Sequence, residues 1–180
     1  DFKDNILLNN ISFSYSETSP KIFKNLNLKI KKGEAIGIVG KTGSGKTTLV
    51  DLILGLIKPS DGEILIDSQK IEKNIRGWIS IVGYVPQDTF IIDDTIQNNI
   101  IFDFDEKVDQ ERLRSAINKA SLDKLVEKNG LNDNVGERGS KLSGGQKQRI
   151  GIARAIYKKS EIIVFDESTS SLDTETEKDM

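Results

Sequence analysis

The residues best suited to do chemistry lie at 40–48, which read GKTGSGKTT. Closely spaced glycines let a backbone curl so that its N–H groups point at one anion. The spacing matches the P-loop pattern, in which Lys46 lies between the β- and γ-phosphates of a nucleotide and the Thr47 hydroxyl ligates Mg²⁺. We therefore expect ATP to bind at Gly40, Lys41, Thr42, Gly43, Ser44, Gly45, Lys46, Thr47 and Thr48.

Two adjacent carboxylates form a second candidate set, because Asp166 and Glu167 directly follow the apolar run IIVF at 162–165. A P-loop enzyme needs a carboxylate at the end of a neighbouring strand to hold the Mg²⁺ shell, and we expect Asp166 to supply it. A plain cap at the end of the strand is the structural alternative. Glu167 is positioned to orient or deprotonate an attacking water, so we predict that it is the catalytic base.

A third motif narrows the class of protein. Residues 142–146 read LSGGQ and precede a predicted helix, whose N-terminus would be a second anion-binding end as well as an ordinary serine cap. At this motif the chain resembles the nucleotide-binding domain of ABC transporters, whose signature sequence reads LSGGQ, and the resemblance covers nearly the whole chain. It implies that a γ-phosphate held by a second nucleotide-binding domain contacts Ser143, Gly144, Gly145 and Gln146.

The resemblance assigns further residues one by one. Tyr15 matches the aromatic residue that stacks on adenine, with strand packing as the alternative. Gln87 matches the glutamine that contacts Mg²⁺ and water and links the site to the membrane domain, so we group it with Glu167 as catalytic. The SLD sequence at 171–173 matches the loop beside the partner's P-loop. The residues expected at the metal are Thr47, Gln87 and Asp166.

Two segments resemble exporters in particular. VGERG at 135–139 is similar to the segment that touches the coupling helices of the membrane domain, and residues 93–100 (DDTIQNNI) are also exporter-like. A solvated loop is the alternative for both. Residues 49–56 resemble bacterial flippases for lipid-linked saccharides or lipopolysaccharide, and export of peptides or drugs is the second interpretation.

Alternating apolar residues around the P-loop predict the β elements that position it. The fully apolar run at 35–39 predicts a buried, parallel strand that leads directly into the P-loop. A helix is expected to follow at 46–57. The other predicted strands lie at 6–15, 22–30, 63–67 and 79–85.

Residues 88–140 are polar and helix-prone, with expected helices at 109–119 and 121–128. A helix at 144–157 and a buried strand at 162–165 follow. The sequence thus predicts an α/β fold: a P-loop NTPase core with a mainly parallel sheet, an antiparallel β subdomain and an inserted helical subdomain. We place the ATP-binding core at 1–86 and 141–180, and the helical subdomain at 87–140.

Composition excludes several classes of protein. The 180 residues are 36% hydrophobic and 30% charged, a balance typical of soluble globular chains. The net charge of −2 gives no reason to expect nucleic acid as a partner. The chain has no cysteine, which excludes disulfides and thiolate metal sites. No apolar run approaches the length that spans a bilayer.

The chain departs from the family pattern at its end, where the family continues to a histidine that contacts the γ-phosphate. This sequence contains no histidine, and it begins at Asp1 rather than at a methionine. We interpret it as a truncated domain that binds ATP but hydrolyses it slowly at best.

The resemblance implies an ATPase domain that powers an ABC exporter from the cytoplasmic side of the cell membrane. Its expected partners are a second nucleotide-binding domain and a transmembrane domain in the same full-length chain. The rival hypothesis is a soluble ABC-type ATPase that acts on ribosomes or in DNA repair. A regulatory domain that only binds nucleotide is a third, against which the intact Lys46 and Glu167 argue.

Overall fold

The computed structural model describes residues 2–102 and 107–166, which belong to two compact units, Asp1–Ser80 and Ile81–Met180. The first unit is built on a four-stranded antiparallel sheet in the order β2-β1-β3-β4. The strands are β1 (Asn5–Phe13), β2 (Phe23–Lys31), β3 (Asp61–Ile66) and β4 (Gln69–Lys70). Helix α1 (Lys46–Leu54) precedes β3, and a 3₁₀ turn (Ile71–Asn74) leads into α2 (Ile75–Ile81).

Strand β1 is the centre of this sheet, because it pairs with β2 on one side and β3 on the other. Leu8 lies opposite both Leu28 and Ile64 and is fully buried. Strand β2 alternates half-buried apolar residues with exposed polar ones, as its sequence predicts. The indole N–H of the buried Trp78 donates to the carbonyl of Ile53, 2.9 Å away, which fastens α2 to α1.

One strand expected in this region does not form. Residues 34–41 have no regular secondary structure, and the side chains of Ile36, Ile38 and Val39 are exposed, Val39 at 92%. The prediction of a buried strand at 35–39 is therefore wrong. An apolar segment forms a strand only when a neighbouring strand satisfies its backbone N–H and C=O groups. No described strand pairs with residues 35–39.

The second unit combines a two-stranded parallel sheet with helices. Strands β5 (Val82–Val85) and β6 (Ile162–Phe165) pair in register from Val82–Ile162 to Val85–Phe165. The elements between them are α3 (Ile96–Ile101), α4 (Gln110–Lys119), α5 (Asp123–Asn129), a 3₁₀ turn (Glu137–Gly139) and α6 (Gly144–Tyr157). The fold class is confirmed as α/β with antiparallel and parallel sheets.

Helix α6 is the centre of the second core, and both α3 and α4 pack against it. The helical spacing expected in α4 is confirmed, because its apolar side chains are buried together: Leu113, Ala116 and Ile117, with Ala120 at the cap. Predicted bounds agree best for α4, α6 and β6. The domain boundaries at 86 and 140 stay predictions.

Three expectations for the second unit need correction. The strand predicted at 79–85 begins only at Val82, because α2 continues to Ile81. Strand β6 is half-buried rather than buried, and Phe165 is exposed, since only one described strand flanks it. Helix α3 was not predicted from the sequence. It has six residues, less than two helical turns, so its apolar residues do not repeat often enough at helical spacing to predict a helix, and its N-cap Thr95 is the only signal that precedes it.

None of the helices in the described ranges combines the length and the apolar character that crossing a bilayer requires.

Candidate functional site

The predicted P-loop forms an open turn that ends at the first residue of α1. Gly43 and Gly45 have positive φ angles of 80° and 94°, a conformation that only glycine adopts without strain. A side chain at Gly45 would also come within 2.7 Å of Ile22, so this glycine is required by both conformation and space. The backbone of this loop can therefore come close to a ligand bound at the N-terminus of α1.

No side chain of the described chain caps the N-terminus of α1. The first N–H groups of a helix lack partners within the helix and carry its positive partial charge. Lys46, the first residue of α1, reaches back across the turn and donates to the carbonyls of Gly40 and Lys41 at 3.0 and 3.3 Å. A free helix end beside a lysine held by weak neutral acceptors is a cradle that fits a phosphate group.

Tyr15 lies beside the start of α1. Its hydroxyl is 3.0 Å from the hydroxyl of Thr48, in a hydrogen bond to a side chain that is itself buried. The ring packs edge-to-face against Phe13 at 5.1 Å, yet it remains 66% exposed. The ring is thus anchored by its hydroxyl and by its contact with Phe13, while a large part of its surface is free to contact a flat ligand.

The carboxyl ends of β5 and β6 bring two further predicted residues to one edge of the parallel sheet. Gln87 is exposed in the bend just after β5, and Asp166 directly follows β6. The N–H of Asp166 donates to the carbonyl of Val85 at 3.0 Å, which continues the ladder past the last strand residue. The sheet register therefore fixes the backbone that carries Asp166.

Tyr84 is a site residue that the sequence reasoning missed. Its hydroxyl donates to a carboxylate oxygen of Asp166 at 2.8 Å. Tyr84 lies opposite Val164 in the register, so its side chain and that of Asp166 point to the same face of the sheet. The alternation of side chains along a strand could have identified Tyr84, but only once the pairing of β5 with β6 is known.

The signature motif begins α6 with a complete capping box. The Ser143 hydroxyl accepts from the N–H of Gln146 at 3.3 Å, and the Gln146 side chain accepts from the N–H of Ser143 at 2.8 Å. Ser143 and Gly144 are exposed, and a Cβ added at Gly144 would meet nothing within 4 Å. Gln146 thus has a structural role at the helix start, and Gly144 leaves open space there.

The two exporter-like segments contact each other. Thr95 and Asn134 form an isolated antiparallel bridge, and the N–H of Val135 donates to the carbonyl of Asp94 at 3.0 Å. Val135 is buried, whereas Glu137 and Arg138 are exposed. The backbone of the VGERG segment is therefore held in place, and its two charged side chains are presented to solvent.

Several predicted residues lie outside the described part of the chain. These are Glu167 and the SLD sequence at 171–173. Among the described residues no three acidic, histidine or cysteine side chains converge as a metal cluster would require. The metal residues predicted in the described part are Thr47, Gln87 and Asp166, of which only Asp166 carries a charge.

The family described as ABC transporter matches residues 23–170. This chain belongs to the ABC transporter family. The P-loop, Asp166 and the capped LSGGQ helix are thereby placed in an ABC domain, as the resemblance of the sequence predicts.

Individual relatives agree with this assignment. The chain is 44% identical over 170 residues to human "ATP-binding cassette sub-family B member 5", covering 93% of the chain and 14% of that protein. It is 39% identical to an "ATP-dependent lipid A-core flippase" of Francisella tularensis subsp. holarctica, covering 97% of the chain and 29% of the flippase.

A solved structure shares the fold. "Structure of a bacterial Atm1-family ABC exporter with ATP bound" superposes with a TM-score of 0.88 at 36% identity, covering 98% of this chain and 31% of the exporter. This chain thus spans less than a third of the length of each of these three proteins.

Proposed function

We propose that this ABC domain binds and hydrolyses ATP to power an exporter, with ATP joining two such domains head to tail. The observation that carries the proposal is the glycine turn at 40–45, which ends at an uncapped helix N-terminus with Lys46 beside it. Among common cellular ligands, a nucleotide triphosphate fits a phosphate cradle flanked by an exposed aromatic ring such as Tyr15.

The predicted site residues divide the proposed work between them. Tyr15 stacks on adenine, and the amides at 40–48 hold the phosphates together with Lys46. Glu167 orients the attacking water and accepts its proton, and Gln87 assists in positioning that water.

Thr47, Gln87 and Asp166 are the side chains that would hold Mg²⁺, which when bound offsets the charge that develops on the phosphates. One carboxylate with neutral oxygen donors suits Mg²⁺, because this ion keeps waters and phosphate oxygens as its other ligands. The hydrogen bond from Tyr84 keeps the Asp166 carboxylate in one orientation.

The open N-terminus of α6 supports the shared-site arrangement. It presents Ser143 and Gly144 to solvent with space for a phosphate, and the resemblance assigns that phosphate to a second copy or a related domain. The exposed VGERG side chains are proposed to contact a transmembrane domain of the full-length chain on the cytoplasmic side. Two relatives are named as a flippase and an exporter, which favours this role over a soluble ABC ATPase.

Cross-linking in the full-length protein tests the head-to-tail arrangement. Lys41→Cys in the P-loop and Lys141→Cys beside the signature are combined with Glu167→Gln, which slows hydrolysis. We expect ATP and Mg²⁺ to produce a disulfide between two copies. Adding Lys46→Ala, which removes the phosphate-binding charge, should abolish it. If ATP binds to the Glu167→Gln protein and no cross-link between copies forms, the shared-site function is wrong.

A further inference from the structure

A half-buried arginine outside the ATP-binding residues connects two parts of the second unit. Arg154 lies on α6, ten residues after Gly144 and hence about 15 Å along the helix from the signature motif. Its guanidinium donates from Nη1 to the carbonyl of Phe90 at 2.7 Å, from Nε to the carbonyl of Asn99, and from Nη2 to the Asn99 side-chain oxygen at 3.1 Å. Its Cζ lies 4.3 Å from the centre of the Phe102 ring.

Asn99 extends these contacts through the segment that follows Gln87. It is fully buried, and its amide group donates to the carbonyls of Ile92 and Thr95, both at 3.0 Å. Its side-chain oxygen also accepts from the N–H of Ile92 at 3.0 Å. One arginine and one asparagine therefore supply hydrogen bonds to the backbone at Phe90, Ile92, Thr95 and Asn99.

Arg154 acts here through the geometry of its hydrogen bonds rather than through an ion pair. All three described acceptors of Arg154 are uncharged oxygens, and burial lowers the pKa of Arg154 to about 10, so it remains charged at neutral pH. Burying a charge is costly. Arginine suits this position because its planar guanidinium fork carries several donors, which reach all three acceptors at once. A lysine would keep the charge and lose this fork.

Close packing at Thr89 and a hydrogen bond to the VGERG segment also join parts of the second unit to α6. A Cβ at Gly151 would lie 2.8 Å from the hydroxyl of the buried Thr89, so the helix and this segment approach as closely as a glycine allows. Nearer the signature, Lys147 donates to the carbonyl of Arg138 at 2.8 Å.

We propose that Arg154 is a positioning residue that fastens residues 89–102 to α6, so that the segment following Gln87 and the signature end of α6 move as one rigid body. This inference rests on the proposed function, in which the signature end contacts a nucleotide and the exporter-like segments face a membrane domain. A phosphate that immobilises the start of α6 then immobilises residues 89–102 through Arg154.

Hydrogen exchange in the full-length protein tests the inference. The variant is Arg154→Lys, and the matched control is Arg114→Lys, which changes an exposed arginine on α4. Without nucleotide, we expect exchange at 90–102 to become about tenfold faster in Arg154→Lys, with no change at 113–120. The control should match the wild type in both regions.

The same measurement with a non-hydrolysable ATP analogue separates positioning from mere stabilisation. In the wild type we expect the analogue to slow exchange at both 143–150 and 90–102. In Arg154→Lys it should slow exchange at 143–150 alone. Equal protection at 90–102 in both proteins overturns the inference, as does faster exchange throughout the core including 113–120.

A second variant covers the case in which Arg154→Lys fails to fold. Phe102→Leu keeps every hydrogen bond of Arg154 and removes only the ring stacking. We therefore expect exchange at 90–102 without nucleotide to become about two- to threefold faster, with no change at 113–120. No change at 90–102 in that variant overturns the inference. If the analogue alters exchange nowhere in the wild type, the proposed function fails, whereas the comparison without nucleotide still tests whether Arg154 fastens residues 90–102 to α6.

Discussion

One or two hydrogen bonds position each of three side chains proposed to contact ATP or Mg²⁺ in this ABC domain. Lys46 is held by two backbone carbonyls, Tyr15 by the hydroxyl of Thr48, and Asp166 by Tyr84. A bound phosphate is a stronger acceptor for Lys46 than a neutral carbonyl, because its oxygens are charged. The lysine is therefore oriented before the ligand arrives and can exchange acceptors when it does.

Tyr84→Phe tests how far this orientation matters at Asp166. The change removes one exposed hydroxyl and leaves the ring, so we expect the free energy of unfolding to fall by no more than about 1 kcal/mol. A carboxylate free to rotate should bind Mg²⁺ less well, and the half-saturating Mg²⁺ concentration of the ATPase should rise about fivefold.

Tyr157→Phe is the matched control for that prediction. Its hydroxyl accepts from the N–H of Asp109 at 3.2 Å and makes no contact with Asp166. It should change stability without changing the Mg²⁺ titration. An unchanged Mg²⁺ dependence in Tyr84→Phe would show that Tyr84 does not orient the carboxylate.

At the scale of elements, α6 carries both a structural cap and a proposed phosphate contact at Ser143, and two substitutions separate them. Ser143→Ala removes the capping acceptor and should destabilise the protein by about 1 kcal/mol in urea unfolding. Ser143→Asp supplies an equally good cap, so stability should be retained, but its charge repels a phosphate.

The decisive measurement for Ser143 is ATP-dependent cross-linking between copies in the Glu167→Gln protein. We expect Ser143→Asp to abolish it despite normal stability. Cross-linking at the wild-type level in Ser143→Asp would mean that this helix end does not meet a phosphate.

Close packing along α6 gives a second prediction at this scale. Gly151→Ala would place a methyl group 2.8 Å from the Thr89 hydroxyl and 3.3 Å from a methyl of Val85. Overpacking of this kind costs about 1–3 kcal/mol, which thermal or urea unfolding measures. Gly144→Ala on the same helix meets open space and should change stability by less than about 1 kcal/mol. Equal effects of the two substitutions would contradict the packing seen at Thr89.

For the molecule as a whole, one turn makes stability depend on pH. The carboxylate of Asp67 accepts from the N–H groups of Lys3, Asp4 and Asn5 at 2.6, 2.7 and 3.0 Å. Burial raises the pKa of Asp67, but these three hydrogen bonds outweigh it, and the net pKa lies below the ordinary 3.8.

Because the pKa of Asp67 is lower in the folded state, its contribution is present above pH 3.8 and is lost as pH falls through the lowered pKa. Urea unfolding between pH 7 and pH 3 should therefore show a decline in stability at the acidic end that is smaller in Asp67→Asn. Asp51→Asn, which removes the same charge from α1, should keep the wild-type decline. A decline of equal size in Asp67→Asn would contradict this role.

The parts of the fold that agree with sequence-based prediction are those with a complete local pattern. Helix α6 begins at its capping box and shows apolar residues at helical spacing, and α4 does the same from its Asp109 cap. Helix α3 lacks such a pattern. Residues 35–39 have the apolar pattern of a buried strand, but no described strand pairs with them. Local preference therefore predicted elements only where it agreed with the tertiary environment.

The amino-acid sequence by itself determined the family of this chain, the P-loop, the LSGGQ cap and the acidic end of β6, because each depends on residues adjacent along the chain. Only the tertiary structure revealed Tyr84 against Asp166, and Arg154 against Phe90 and Asn99. Those pairs are separated by dozens of residues and meet through strand register and helix packing. Such contacts are set by how the elements pack together, which no local pattern encodes.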